Sequence, residues 1–243
     1  MGVLNSIKGW WNKMFSNAVK RHFGIDSIES ASVKDSIKLW MSIYQNNAPW
    51  IDLKEDIKTI GFAQKICSTV ANLTTLDIDV QFDGGRKEYM QQFYEKSVAP
   101  KLRDWVEFGV AFGTIILKPN GEGVDFVTPD RFEIIQKDGN HNITDIVFQD
   151  GYESNGMYYT KLERHRFWDA DVKQLNSEVY VKTTFYTIQN KAFMSKSSTE
   201  IGREVALTDT KWLNLQPEVS ITKKNNEKLN SMLFGVFRVP SAN

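Results

Sequence analysis

Residues 101–137 read KLRDWVEFGVAFGTIILKPNGEGVDFVTPDRFEIIQK, and the fold class turns at their middle. Lys101–Phe112 carries a helical pattern, and so does Lys87–Lys96 ahead of it, with Pro100 expected to break the two apart. From Thr114 onward the texture is that of strands, predicted over Thr114–Lys118, Val124–Thr128, Arg131–Gln136, Ile143–Gln149, Met157–Trp168, Val179–Gln189 and Leu233–Val239. Asn120-Gly121-Glu122-Gly123 and Lys137-Asp138-Gly139-Asn140 read as hairpin turns between them. Helices followed by mostly antiparallel strands define an α+β fold, because a doubly wound sheet needs the two to alternate.

Upstream of that junction the pattern is helical almost to the first residue. Val3, Leu4, Ile7, Trp10, Trp11, Met14, Phe15, Ala18, Val19 and Phe23 recur at three- and four-residue steps. Lys8, Lys13, Lys20 and Arg21 lie on the other side, no acid precedes Asp26, and Gly24 reads as the C-cap. Basic residues with Trp and Phe also suit a membrane-surface helix, but the preferred reading of residues 1–25 is an amphipathic helix that docks on the domain or a neighbouring subunit, with 26–243 an α+β domain. A second helix is expected from Ser32 as N-cap to about Gln45, ended by Asn46-Asn47-Ala48-Pro49, with Trp50 extended after it. A third is expected over Phe62–Leu73, followed by a half-buried strand Leu76–Phe82 whose residues alternate apolar and polar.

Thirty Lys and Arg balance thirty Asp and Glu, so the formal charge is zero. A duplex-DNA binder draws its affinity from neutralising phosphates and usually carries a basic excess, which this chain lacks. The single cysteine, Cys67, has no disulfide partner within the chain, which fits a reducing cytoplasm. No apolar run approaches the ~20 residues of a membrane span.

The chemistry-bearing residues are sparse. His22, His141 and His165 have no zinc-site spacing, and Cys67 reads as a small buried hydrophobe. Asp77 and Asp79 share one strand face, as nuclease carboxylates sometimes do, but they also fill the polar positions of an alternating strand. Gly84-Gly85-Arg86-Lys87 lacks the spaced glycines and the Lys-Ser/Thr of a phosphate loop. Met157–Phe167 interleaves aromatics with Lys161, Arg164 and Arg166, a texture shared by single-stranded nucleic-acid platforms and by any strand with one wet face; the wet face is the preferred reading. No catalytic, cofactor-binding or metal-binding residue is assigned.

Nine short landmarks, in order along the chain, resemble portal proteins of tailed phages that infect Gram-positive bacteria. Trp40, Tyr44, Pro49 and Trp50 form a helix ending in a Pro-Trp turn. Ala71-Asn72-Leu73 follows. Glu107–Pro119, with Gly109 and Gly113, runs through glycines from helix to strand, and Val124–Phe132, with Asp130 and Arg131, looks like the next hairpin. Tyr158–His165, with Tyr159 and Glu163, matches in character. So do Tyr186–Phe193, Gly202–Leu207, Trp212–Val219 and Leu233–Asn243. Ser68 stands where the resemblance leads one to expect an acidic residue, and Asn46-Asn47 replace a usual glycine.

The resemblance implies a non-enzymatic structural subunit: the N-terminal, wing-forming half of a dodecameric ring at one capsid vertex, present in the virion and, during assembly, in the host cytoplasm. It implies contacts with other portal subunits, capsid and scaffolding proteins, no membrane partner, and DNA that passes through the channel with weak direct contact here. Terminase and head-completion proteins would dock on the stem, clip and crown, which are expected to lie beyond Asn243, leaving core surface bare around Leu233–Val239. Trp10, Trp11, Met14 and Phe15 are the candidate subunit contacts. A stand-alone interaction protein derived from a portal wing is the alternative, and a metal-dependent nuclease built on Asp77 and Asp79 a third class.

Overall fold

The structure, a computed structural model, describes residues 15–50, 60–120, 123–173, 178–222, 229 and 231–239. The fold is α+β: helices occupy the first half and antiparallel sheets the second. Two compact units divide the chain, and each is discontinuous in sequence. One comprises 1–30 and 131–232, the other 31–130 and 233–243. The described part of the 1–25 segment thus belongs to the first unit, and the 26–243 stretch is shared between both.

In the first unit a helix over 15–23 (α1) lies on a sheet of order β3-β4-β5-β6-β7. Its strands are β3 (Phe132–Lys137), β4 (Ile143–Ser154), β5 (Met157–Lys173), β6 (Tyr180–Ser195) and β7 (Arg203–Val205); β8 (Glu218–Ile221) also pairs with β6. Gly24 closes α1 at φ +67°, its N–H donating to the Lys20 carbonyl at 2.9 Å, as the sequence led one to expect. Between β4 and β5, Asn155 and Gly156 both take positive φ, which a two-residue hairpin turn of the primed type requires, and Ser154 pairs with Met157 across it.

Phe15, Ala18 and Val19 of α1 pack with Ile135, Val147, Leu162, Phe193 and Ile201. Phe15 is only 2% exposed, so it is a core residue of its own chain, and its expected role as a subunit contact is corrected. Trp10, Trp11 and Met14 lie outside the described residues. On β5 every residue from Thr160 to His165 is buried, so the expected wet face does not exist there. β5 lies between β4 and β6 in mid-sheet, and both of its faces are covered.

The second unit holds α2 (Ala31–Tyr44), α3 (Phe62–Thr75), α4 (Lys87–Phe93) and α5 (Ala99–Phe112), with a π-helical turn, Tyr94–Val98, between the last two. Its sheet has the order β2-β1-β9, from β1 (Thr114–Pro119), β2 (Val124–Val127) and β9 (Gly235–Arg238). Pro100 sits in the first turn of α5, directly after the π-helical turn that parts α5 from α4, so the expected division into two helices falls there, with the π turn and not a loop between them. Trp105, Ile115 and Val124 form the core with Phe93, Val98, Leu102, Phe108, Leu117 and Phe237. The expected bare surface around Leu233–Val239 is in part a paired strand: β9 runs antiparallel to β1, with Ile115 opposite Phe237, while Leu233 and Val236 stay over 40% exposed.

α2 begins at Ala31, one residue ahead of the expected cap Ser32. It ends in a Schellman motif: Asn47 N–H reaches the Ser42 carbonyl at 2.8 Å, Asn46 N–H reaches Ile43, and Asn46 sits at φ +61°. Asparagine tolerates that left-handed conformation best after glycine, which accounts for Asn46 where the resemblance leads one to expect a glycine. The expected strand over Leu76–Phe82 is absent: residues 76–77 turn and 78–83 have no regular structure. Alternation alone makes no strand, because the backbone groups also need a neighbouring strand to pair with.

Candidate functional site

Three places bring together the residues that sequence reading singled out. The first lies within the helical unit. Tyr44 on α2 donates its hydroxyl to Glu107 Oε1 on α5 at 2.7 Å, and its ring meets Phe112 edge-on at 5.4 Å. Glu107 Oε2 accepts from Arg103 Nη2 at 3.0 Å, and Arg103 also donates to Ser68 Oγ and Asn72 Oδ1 on α3. Burial first, then the Glu107 carboxylate, hold the Tyr44 hydroxyl well above the ordinary tyrosine pKa; burial and the same carboxylate push the Cys67 thiol up. Ser68 therefore serves Arg103 as a neutral acceptor, and Glu107 supplies the charge from within α5. An open groove of about 620 Å³ runs past Tyr44, Gln64, Lys65, Ser68, Arg103 and Glu107. The Arg103 guanidinium is spent on Asn72, Ser68, Asp104 and Glu107, so the groove has no uncommitted arginine fork to offer a ligand.

The second place is the middle of β5. Period-two alternation sets Lys161, Glu163 and His165 on one face and Leu162 and Arg164 on the other. Lys161 Nζ lies 2.6 Å from Glu163 Oε2, Glu163 Oε1 lies 2.6 Å from His165 Nε2, and His165 Nδ1 meets the Tyr186 hydroxyl. On the opposite face Arg164 pairs with Asp145 and stands 5.7 Å over the Phe23 ring of α1. An acid–imidazole–phenol chain resembles an acid–base relay. However, Lys161, Glu163, His165 and Tyr186 are each less than 8% exposed, and a general acid or base must reach a substrate proton. The arrangement pairs the charges it buries, Lys161 with Glu163 and Arg164 with Asp145. Of the basic side chains that suggested a nucleic-acid platform, Lys161 and Arg164 are thus turned inward and paired with Glu163 and Asp145, while Arg166 is half-buried and stands 5.6 Å over the Trp168 ring.

The third is the outer side of α3. Cys67 and Ala71, small residues one turn apart, are its buried positions, and α3 packs against α5. Phe62, Ile66, Val70, Leu73 and Leu76 are left 38–82% exposed along the other side. Sequence reading placed Ile66, Val70 and Leu73 on this helix without telling the two sides apart. The signal was available in the small-residue pair, since close helix contact selects small side chains and leaves the large ones outside.

The remaining motif residues divide sharply by environment. Trp40, Pro49 and Trp50 face solvent, with Trp50 69% exposed. Gly109 touches the Phe237 ring, and Gly113 caps α5 at φ +77°. Asp130 and Arg131 lie in the 3-10 turn Pro129–Arg131, where Asp130 accepts from Thr128 Oγ1. Tyr159 stacks on Tyr152 with centroids 4.8 Å apart, and Trp212 closes that cluster edge-on to Tyr152. Asp77 and Asp79 are exposed on an irregular segment, and among the described residues no three His, Cys, Asp or Glu side chains form a group able to hold a metal ion. Nor is any described helix long and apolar enough to cross a membrane. Comparison with protein-family models and with curated proteins finds no match to either.

Proposed function

We propose that this chain forms the wing-like part of a phage portal subunit, a non-catalytic ring component at the capsid vertex that supports head assembly and DNA packaging and ejection. The observation that carries the reading is the outer side of α3. Phe62, Ile66, Val70 and Leu73 on α3, and Leu76 just past its end, are left 38–82% exposed, and fully burying an exposed side chain of this size stabilises by about 1.5–3 kcal/mol. A ring subunit has that requirement, because ring closure proceeds through heterologous contacts between one patch and a different patch on the next copy. The ordered landmarks from Trp40 to Phe237 support the same reading, and the inward-turned charges of β5 suit a structural role.

On this reading the partners are further copies of the subunit, capsid and scaffolding proteins, terminase and head-completion proteins, and DNA in the channel. Electron microscopy of the whole product of the gene encoding this sequence tests it. Closed rings with an axial opening are expected. A gene product that stays monomeric across micromolar concentrations overturns the reading.

A further inference from the structure

The exposed side of α3 has a complement in the chain's own first fourteen residues, and the inference drawn from it rests on the ring-subunit reading above. Between Gly61 and Gly85 the sequence holds one cation, Lys65, against Asp77, Asp79 and Asp83. All three acids are exposed, and they follow directly on the apolar row that ends at Leu76. Residues 1–14 have the opposite character: Lys8 and Lys13 with no acid, and Ile7, Trp10, Trp11 and Met14 at helical spacing. A helix of fourteen residues spans about 21 Å at 1.5 Å per residue, which matches the row from Phe62 to Leu76. The segment is also tethered at a fixed point, since Phe15, next in sequence, is locked in the core of its own unit.

We propose that residues 1–14 of a second copy dock along α3, laying Val3, Leu4, Ile7, Trp10, Trp11 and Met14 over Phe62, Ile66, Val70 and Leu73. Lys8 and Lys13 then face Asp77, Asp79 and Asp83. The contact is heterologous, joining a patch near the start of one copy to a different patch on its neighbour, which is the kind of interface a ring repeats. Apolar matching supplies the affinity, and the opposed charges set the direction in which the segment lies.

Cysteine cross-linking in the full chain tests the contact. A Trp11→Cys copy and a Leu73→Cys copy, carrying different tags, are mixed under mild oxidation. Leu73 is 71% exposed, so its replacement leaves the core untouched, and circular dichroism of both variants checks folding. Each variant oxidised alone controls for the buried Cys67. The expected result is a mixed-tag covalent dimer that neither variant forms alone. Its yield falls severalfold when Lys8→Glu and Lys13→Glu are added, and recovers when Asp77→Lys and Asp79→Lys are placed on the other copy.

Absence of the mixed dimer overturns the proposal. So does a chain carrying both cysteines that closes on itself at high dilution, which would make the contact internal to one copy. A mixed dimer insensitive to the charge reversals overturns the docking direction. Rings seen by microscopy without this cross-link defeat the contact alone, whereas a cross-link from a gene product that never forms rings defeats the portal reading and leaves the contact standing.

Discussion

The ring of Phe237 occupies the space a side chain on Gly109 would need: a Cβ built there lies 2.1 Å from Phe237 Cε1. Gly109 is in α5, and Phe237 is held by the pairing of β9 with β1, so neither can retreat without disturbing the sheet. Alanine gains about 1 kcal/mol over glycine in a helix interior. The overlap outweighs this, since forcing volume into a packed site costs about 1–3 kcal/mol or more. Gly109→Ala is expected to lower the thermal midpoint, and Phe237→Leu in the same chain to restore part of it. Additive effects in that double-mutant cycle would show that the two residues do not share the space.

Phe15→Ser is expected to destabilise the fold and not merely alter association. Phe15 is 2% exposed among Val19, Leu162 and Phe193. Emptying a buried phenylalanine site costs about 3–5 kcal/mol. Urea unfolding should show a clear drop in midpoint; an unchanged midpoint would place Phe15 outside the core.

Glu163→Ala should be worse than removal of both charges together. The single change strips Lys161 of its carboxylate inside the sheet, where breaking a buried pair costs about 3–5 kcal/mol. Lys161→Met with Glu163→Leu removes the orphaned charge and should recover a large part of that loss. Denaturant midpoints of the three proteins decide the matter, with the double variant expected between wild type and Glu163→Ala.

Tyr44→Phe removes the hydrogen bond to Glu107, and a bond to a charged group contributes about 1.5–3 kcal/mol. The folded-state pKa of Tyr44 is raised, so its contribution is complete below the ordinary tyrosine value and is lost as pH rises through the folded one. The gap in stability between wild type and Tyr44→Phe should hold steady from pH 7 to about pH 10 and narrow beyond it. Thermal melts at graded alkaline pH measure it.

His22 gives the acid-side counterpart. Its pKa is lowered, chiefly by burial and further by Lys191 and Arg21, with Glu204 opposing. Its ring lies 4.4 Å from that of Phe193. With the folded pKa below the unfolded one, the unfolded chain takes up the proton first. The neutral-His contribution is therefore whole above about pH 6.5 and is lost as pH falls from there to the folded value. His22→Gln should flatten that part of the stability–pH curve, as read from urea midpoints between pH 7 and 5.

The sequence by itself determined the class and most of the elements. Periodicity of 3.6 in the first half and of 2 in the second are local properties, so the helices, the strands from Thr114 to Gln189 and the Gly24 cap were legible. Tertiary structure decided whatever depends on a partner far away in sequence. Leu76–Phe82 alternates correctly but finds no strand to pair with. Leu233–Val239 crosses more than a hundred residues to join β1, so that Phe237 settles on Gly109. Lys161 and Arg164 read as part of a strand with one wet face and are buried, because strands on both sides and packing on both faces enclose β5. On α3, spacing announced an apolar helix, but only the approach of α5 to Cys67 and Ala71 settled which side is core. Phe62, Ile66 and Leu73 were left outside because close packing of two helices admits small side chains at the contact and excludes large ones.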